Sequence, residues 1–263
     1  MDFVDGDLFE LLCGDKLKYY PTHNVLKKNI DDKYILTHNS DTCIEYIGDD
    51  KIKVSLCLTK WSKKAQSEFG DRVQIRNISD KNLFWFSQNV MSNGDKRLIA
   101  LPIGLERKRW SNGTKHETIR SMMSTNVERD NLIYVNFNEK NHHSRKNLKL
   151  HFKQFKDCKI INNKISFNSY CNDLVRSKYT ISPIGNGFDC HRTWESLYLG
   201  SIPIIEKNNY YNEIYHDMPV LLVDDYTKLT ENFLLEKYEE IVNKSKEKLN
   251  PIYWKNKILN KIL

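Results

Sequence analysis

The sequence predicts an α/β protein, and three observations lead to this fold class. Short runs rich in β-branched and aromatic residues recur along the chain, and polar or helical spacers separate them. One stretch of the C-terminal half, ISPIGNGFDCHRTWESLYLGSIPII (residues 181–205), has a glycine turn, a helix pattern and a buried strand in direct succession. With 40% apolar residues, the 263-residue chain can form the cores of two modest domains.

Five short runs in the first half of the chain are predicted strands of a parallel sheet. They lie at residues 34–37, 53–60, 73–78, 83–89 and 97–105. His38, Asn39 and Asp41 follow the first run, and open α/β sheets bind ligands at the carboxyl ends of their strands. We therefore expect these three side chains to lie near a ligand.

The chain becomes polar and basic from residue 106 to residue 130, and this segment is the predicted boundary between two domains. A helix is expected within it, at residues 117–124. The second domain has predicted strands at residues 131–136, 158–163, 177–183, 201–205 and 219–225. A charged amphipathic helix at residues 231–250 follows, and Pro251 precedes a last helix. The predicted domains span residues 1–125 and 126–250, with the last helix at residues 251–263.

The stretch at residues 181–205 begins with a turn that can approach a ligand closely. Gly185, Asn186 and Gly187 form this turn, and glycine allows positive φ angles and leaves room for a neighbouring group. Asp189 stands where the N-cap of a helix at residues 192–199 is expected, and Gly200 can end that helix in a left-handed conformation. Three residues have the spacing of a buried helical stripe: Trp194, Leu197 and Tyr198.

Arg192 and Glu195 share another face near the start of the same helix. A guanidinium, a helix N-terminus and a glycine turn that meet at one point form an anion site, most naturally for phosphate. A carboxylate one turn further along can accept hydrogen bonds from ribose hydroxyls. The sequence therefore predicts a pocket for a nucleoside diphosphate. The alternative interpretation is an ordinary turn between helix and strand with a surface salt bridge.

Two further basic residues are candidate ligands of the same anion. Arg145 is predicted in the first turn of a helix capped by Ser144, where a cation opposes the helix dipole unless an anion shares the site. A solvent-facing arginine in a basic stretch is the alternative. His191 is a candidate for contact with the phosphate or the sugar, and a packed neutral histidine is the alternative there.

The segment SPIGNGFDCHRTWESLYLGSIPII closely resembles the donor-binding segment of exostosin-like glycosyltransferases. MPVLLVDDYTKLT (residues 218–230) is similar to the strand and loop that follow it in that family, and WFSQN and LPIGLE resemble pieces of its small members. The resemblance implies a GT-B fold, in which two Rossmann-like domains face each other across a cleft and the last helix crosses back to the first domain. So compact a chain is similar to the exostosin-like enzymes of large DNA viruses and some bacteria.

The resemblance also implies a reaction, the inverting transfer of a sugar, possibly xylose, from a UDP-sugar to a hydroxyl of an oligosaccharide or glycoprotein acceptor. One general base is then expected in the first domain, with Asp41 favoured and His38 next. No metal and no cofactor are expected, because cations and a helix N-terminus can stabilise the leaving diphosphate. The implied donor-binding residues are Asn136, Arg145, Ser182, Gly185, Asn186, Gly187, Asp189, His191, Arg192, Thr193 and Glu195.

Composition limits the other classes of function. The net charge of +7 suits anionic ligands, but the aromatic residues do not alternate with basic ones as in a nucleic-acid-binding surface. Asp5-Gly6-Asp7 matches the DxD motif of metal-dependent glycosyltransferases, but it follows no predicted strand, so we expect solvated loop carboxylates. A non-catalytic glycan- or nucleotide-binding protein that keeps the fold stays an alternative.

The sequence shows no sign of a membrane span or of export. No apolar run approaches the roughly 20 residues that cross a bilayer, and the acidic N-terminus lacks the pattern of a signal peptide. The six cysteines form no CxxC pair, so we expect reduced thiols and no zinc. These features predict a cytoplasmic protein, in the host cytoplasm if the chain is viral.

Overall fold

A computed structural model describes residues 3–5, 8, 28–30, 33–35, 42–47, 52–57, 84–88, 98–108, 111, 113–185, 187–207 and 214–262, with backbone alone for the strands before residue 100. The strands are β1 (Lys28–Ile30), β2 (Lys33–Ile35), β3 (Thr42–Ile47), β4 (Ile52–Cys57), β5 (Phe84–Gln88), β6 (Leu98–Leu101), β7 (Asn131–Val135), β8 (Cys158–Ile160), β9 (Ser177–Ile181), β10 (Ile202–Glu206) and β11 (Leu221–Val223). The helices are α1 (Thr114–Met123), α2 (Leu148–Phe152), α3 (Phe167–Val175), α4 (His191–Tyr198), α5 (Glu231–Val242) and α6 (Pro251–Ile262).

The C-terminal half forms a five-stranded sheet in which every neighbouring pair is parallel. Its strand order is β11-β10-β9-β7-β8, and the paired strands include β7 with β9 and β9 with β10. The chain thus starts in β7, moves outward to β8 and then returns to the other side of β7. A sheet of this order has its ligand-binding crevice where the direction reverses, here between β7 and β9. The predicted parallel α/β sheet is confirmed for this half.

The central strands of this sheet are buried because helices cover both faces. Ile133 of β7, Ile181 of β9 and Ile204 of β10 are fully buried, as expected for strands of a parallel sheet covered on both sides. Four helices, α1, α4, α5 and α6, lie close to the predicted positions, α2 begins later than predicted, and α3 was not predicted. One difference is that α5 ends at Val242, and a separate 3₁₀ turn follows at Glu247–Leu249 before α6 begins at Pro251.

The four-stranded sheet of the first half has the order β3-β4-β5-β6 and departs from the predicted parallel arrangement. β4, β5 and β6 are parallel to one another, but β3 pairs with β4 antiparallel. The prediction missed β3, whose last residue Ile47 lies opposite Ile52, the first residue of β4, so that only a few residues of sequence separate the two antiparallel strands. The predicted strand at residues 73–78 lies outside the described residues.

The first predicted strand, at residues 34–37, corresponds in part to β2. This strand pairs antiparallel with β1 in a sheet of two strands, so the expectation that it belongs to a parallel sheet is wrong. The positional argument for His38 and Asp41 therefore loses its support. Both residues lie outside the described part of the chain, and their role stays a prediction.

A cluster of buried apolar residues surrounds α4 and includes residues from both halves of the chain. Phe3 and Val4 belong to it, together with Trp194 of α4 and Trp254 of α6. Tyr198 of α4 connects the start of the chain with the turn before α6. Its hydroxyl accepts a hydrogen bond from Val4 N (2.8 Å) and donates one to Leu249 O (2.8 Å). The GT-B arrangement and the domain boundaries stay predictions.

Asp5, the first residue of the acidic motif, is not the solvated carboxylate that the sequence predicts; the other two residues of the motif lie outside the described part of the chain. Asp5 is 5% exposed, its carboxylate accepts a hydrogen bond from Leu8 N (2.8 Å), and His116 Nε2 lies 3.5 Å from it. This carboxylate therefore stabilises the chain start against α1. No helix in the described part of the chain has the length and apolarity that a bilayer crossing requires.

Candidate anion-binding site

Helix α4 has the predicted stripe and the predicted end. Trp194, Leu197 and Tyr198 are 0%, 2% and 6% exposed, because they share the face that packs into the core. Gly200 has a φ of 76°, so the left-handed helix end is confirmed. The start of the helix differs from the prediction, since Cys190 is the N-cap residue and makes no side-chain capping bond.

Asp189 is buried and does not cap the helix; its carboxylate instead accepts hydrogen bonds from three other residues. Its carboxylate accepts hydrogen bonds from Ile103 N (2.7 Å) and Trp194 Nε1 (2.9 Å), and the Tyr215 hydroxyl also donates to it. Burial raises the pKa of Asp189, and these three hydrogen bonds oppose that rise. Asp189 is 1% exposed, so its geometry favours a structural role over the predicted contact with a donor.

Three cations surround one aromatic ring at the carboxyl edge of β7. The ring of Phe137 lies 5.6 Å from the guanidinium carbon of Arg145, 5.6 Å from Lys149 Nζ and 5.9 Å from the guanidinium carbon of Arg192. We call Phe137, Arg145, Lys149 and Arg192 the cation cluster. None of its three cations forms an ion pair with a carboxylate among the described residues.

Arg145 of the cation cluster holds two loops together. Its Nε donates to Ile184 O (2.6 Å), its Nη2 to Pro183 O (3.0 Å) and its Nη1 to Asn138 O (3.0 Å). These carbonyls follow β9 and β7, the strands on either side of the crevice. Arg145 is 2% exposed, so the solvent-facing alternative is wrong. Burial, and then the charge of Arg192, lowers the pKa of Arg145.

The local structure around Arg145 corrects the sequence prediction. The residue ends a 3₁₀ turn, His143–Arg145, and α2 begins only at Leu148. Ser144 caps no helix; its own N–H donates to His142 Nδ1 (3.2 Å). The helix-dipole argument for Arg145 therefore fails, and its place in the site rests on contacts with the strand-end loops.

Gly185 is required for space rather than for backbone conformation. Its φ lies outside the left-handed region, contrary to the expected use of positive φ. An added Cβ would lie 2.8 Å from Arg145 Nη2 and 3.1 Å from Cys190 Sγ. The loop backbone thus packs directly on the buried guanidinium. Asn186 lies outside the described residues, and Gly187 O accepts a hydrogen bond from Gly185 N (3.1 Å).

Arg192 has an anchored end and an open end. Its Nε donates to Asn136 O (3.0 Å), directly after β7. Its Nη1 is buried and has no hydrogen-bond partner among the described residues. A buried N–H without a partner is costly, and this nitrogen can still donate a hydrogen bond to a further acceptor. The alternative of a surface salt bridge with Glu195 is wrong, because these two residues form no ion pair.

Glu195 is buried beside the cation cluster and takes part in an aromatic network. Its Oε2 accepts a hydrogen bond from the Tyr170 hydroxyl (2.8 Å), and burial followed by the Glu195 charge raises the pKa of Tyr170. The ring of Tyr170 lies 6.0 Å from that of Tyr134, whose hydroxyl accepts a hydrogen bond from Asn136 Nδ2 (2.8 Å). Asn136, Arg192 and Glu195 therefore belong to one network of contacts, and their role in donor binding stays a prediction.

The hydroxyls of Ser182 and Thr193 form a hydrogen bond with each other. Ser182 Oγ lies 2.8 Å from Thr193 Oγ1, and both side chains are 2% exposed. The pair fastens the end of β9 to the first turn of α4. This arrangement supports the site from behind and gives no sign of the direct ligand contact predicted for the two residues.

His191, the first residue of α4, contacts the loop that follows β6. Its Nδ1 lies 2.8 Å from Gly104 O. Gly104 has a φ of 64°, and a Cβ there would lie 2.0 Å from Val4 O, so the position needs glycine. The loop thus presents its carbonyl to the imidazole from a fixed place.

Sequence reasoning missed three residues of the site: Phe137, Lys149 and Tyr170. Lys149 gave no signal in the sequence, because Arg145 and Lys149 lie in separate helical turns and only the tertiary structure brings both to Phe137. Phe137 follows a predicted strand and could have been placed at the crevice. Tyr170 gave no sequence signal, because only the packing of α3 against α4 brings it to Glu195. Asp41 and His38 cannot be compared with the site, since the described residues exclude them.

Comparison with known proteins identifies a family for the C-terminal part of the chain. The family model named RXYLT1 C-terminal domain matches residues 115–262, more than half of the sequence. The matched region contains the whole five-stranded sheet, the cation cluster and α4. No curated protein matches the chain.

Proposed function

Since the chain belongs to the RXYLT1 C-terminal domain family, which is glycosyltransferase-related and exostosin-like, we propose that it transfers a sugar from a UDP-sugar to a glycan hydroxyl with inversion. Xylose is the first candidate for the sugar. The family supports a sugar donor and a glycan acceptor as partners. UDP as the carrier, inversion, the GT-B fold and the cytoplasmic location are part of the proposal.

The observation that carries this proposal is the cation cluster. Two guanidinium groups and an ammonium group lie about one aromatic ring, and the described residues offer them no carboxylate partner and leave the buried Arg192 Nη1 unpaired. Arg145 is buried and the other two cations are half-buried, and positive charge removed from water in this way is costly unless an anion compensates it. A diphosphate supplies both the negative charge and the acceptor oxygens that the cluster lacks.

The position of the cluster also fits a nucleotide-sugar donor. It lies between β7 and β9, where a sheet of this strand order binds ligands, and beside the first N–H groups of α4, which have no partners within the helix. Glu195 lies three residues after Arg192 in α4, and its carboxylate would accept hydrogen bonds from the ribose hydroxyls of the donor. The same positive charges would stabilise the diphosphate as the bond to the sugar breaks.

UDP binding with and without a chelator tests the proposal. We expect calorimetry to show UDP binding of equal affinity in the presence of EDTA, because the cations of the protein supply the positive charge. A UDP-sugar panel in a thermal-shift assay then finds the donor, since a ligand of the folded state raises Tm. Absence of UDP binding would refute the donor site, and loss of binding with EDTA would refute the metal-free mechanism. A donor that binds and is never transferred would favour the non-catalytic alternative.

A further inference from the structure

We propose that His191 is the general base of the transfer and accepts the proton of the acceptor hydroxyl on its Nε2. The inference rests on the proposed function, because it needs a sugar donor bound at the cation cluster. It places the base on α4, in the described part of the chain, and so differs from the sequence-based candidates Asp41 and His38.

The contact with Gly104 determines which ring nitrogen can act. A carbonyl oxygen only accepts hydrogen bonds, so Nδ1 of His191 carries a proton and donates it to Gly104 O across 2.8 Å. In the neutral imidazole Nε2 then carries the lone pair. Nε2 has no hydrogen-bond partner in the described part of the chain, and the residue is half-buried, so a ligand can reach it.

The surroundings hold the imidazole in one place. Gly104 lies in a loop that is bonded on both sides: Ile103 N donates to Asp189 Oδ2 (2.7 Å), and Leu105 N donates to Val4 O (2.8 Å). His191 itself begins α4, whose apolar stripe is buried. A base held by a backbone carbonyl keeps its orientation, so less entropy is lost when the reactive geometry is reached.

The step balances with the groups that the proposal names. The acceptor O–H gives its proton to Nε2 while its oxygen forms a bond to the anomeric carbon of the sugar. The bond from that carbon to the β-phosphate oxygen breaks on the opposite side, and its electron pair leaves with UDP. One base and one displacement invert the configuration. The imidazolium then returns its proton to water.

Two substitutions separate the two ring nitrogens. In His191→Asn the amide nitrogen stands near the place of Nδ1, so the bond to Gly104 can be kept while Nε2 is lost. In His191→Gln the amide nitrogen stands near the place of Nε2, so a hydrogen-bond donor is kept there without a base. His216→Asn is the matched control, because that side chain is 72% exposed and pairs with Asp217 at the surface.

Three quantities are measured for each variant: Tm, UDP affinity by calorimetry, and the transfer rate with the donor found in the UDP-sugar panel. Loss of a general base typically lowers the rate by about 10²–10⁴-fold. We expect that loss in both His191 variants, with UDP affinity within about threefold of the native value, and native behaviour of the control.

The other outcomes overturn the proposal in distinguishable ways. A native rate in His191→Asn would show that the histidine serves only to bind Gly104. Native rate and UDP affinity in His191→Gln, with weak UDP binding in His191→Asn, would make Nε2 a phosphate ligand. If the native protein binds no UDP, the proposed function fails first, and the role of His191 fails with it.

Discussion

Two buried charged regions flank the start of α4, and they differ in how their charge is compensated. On one side the Asp189 carboxylate accepts hydrogen bonds from Ile103, Trp194 and Tyr215. On the other side the cation cluster has backbone carbonyls as partners but no carboxylate, and one of its nitrogens, Nη1 of Arg192, has no partner in the described residues. The compensated carboxylate stabilises the fold, whereas the cation cluster is the site that we propose for an anionic ligand.

The difference has consequences for stability and binding. Removing the partner of several buried donors leaves each of them unsatisfied, which lowers the free energy of unfolding. Removing one of three mutually repelling cations relieves repulsion and lowers the affinity for an anion instead. Asp189 and Arg192 are only three positions apart. Substitution of Asp189 should therefore lower the stability of the fold, whereas substitution of Arg192 should lower the affinity for an anion.

The largest expected effect is the loss of stability in Asp189→Asn. An amide places an NH₂ group against donors and leaves at least one of them unpaired in the core, so we expect the free energy of unfolding to fall by about 3–5 kcal/mol. Urea denaturation measures this change.

The control is Asp224→Asn, whose side chain is 78% exposed and pairs with Lys207. It should change the free energy of unfolding by less than about 0.5 kcal/mol. A similarly small effect of Asp189→Asn, together with weaker UDP binding, would show that Asp189 belongs to the donor site after all.

The second effect is the loss of UDP affinity in Arg192→Ala. The open Nη1 and the charge of the guanidinium are lost together, and a hydrogen bond to a charged group contributes roughly 1.5–3 kcal/mol. We therefore expect UDP to bind about 10–100-fold more weakly in calorimetry, while the free energy of unfolding stays within about 1 kcal/mol of the native value.

Arg176→Ala is the matched control, because this arginine is 43% exposed and pairs with Asp130 at the surface. It should keep the native UDP affinity. If Arg192→Ala instead unfolds while its UDP affinity per folded molecule is native, Arg192 is a structural arginine and the contrast with Asp189 disappears.

The smallest effect concerns the loop on the Arg145 guanidinium. In Gly185→Ala the new methyl group would stand 2.8 Å from Arg145 Nη2, so the guanidinium or the loop must move. A displaced loop should weaken UDP binding by about 3–10-fold, roughly 1 kcal/mol.

Gly200→Ala makes the same change at the far end of α4, where φ is 76°. It should lower the free energy of unfolding by more than about 1 kcal/mol, because φ is positive and the new methyl group would lie 2.5 Å from Arg129 Nη2, and it should leave UDP affinity unchanged. Equal UDP affinities in Gly185→Ala and the native protein would show that the loop geometry does not control binding.

The C-terminal half was largely predictable from sequence because its signals are local. The stripe of α4 follows from residue spacing, its end from a glycine that tolerates positive φ, and its parallel neighbours from short apolar strands. Arg192 and Glu195 both lie in the first turns of α4, as their spacing indicates, while their role in an anion site stays a prediction.

Tertiary structure alone decided which partner each charged group meets. Asp189 has the sequence position of a helix cap, yet Ile103 and Tyr215 reach it from distant segments and bury it. Arg145 has the position of a helix start, yet its guanidinium binds three carbonyls of two strand-end loops. The direction of β3 likewise depends on its pairing with β4. Local patterns determine the shape of single elements, but hydrogen-bond partners and strand directions depend on contacts between residues far apart in the chain, and such contacts leave no periodic signal in the sequence.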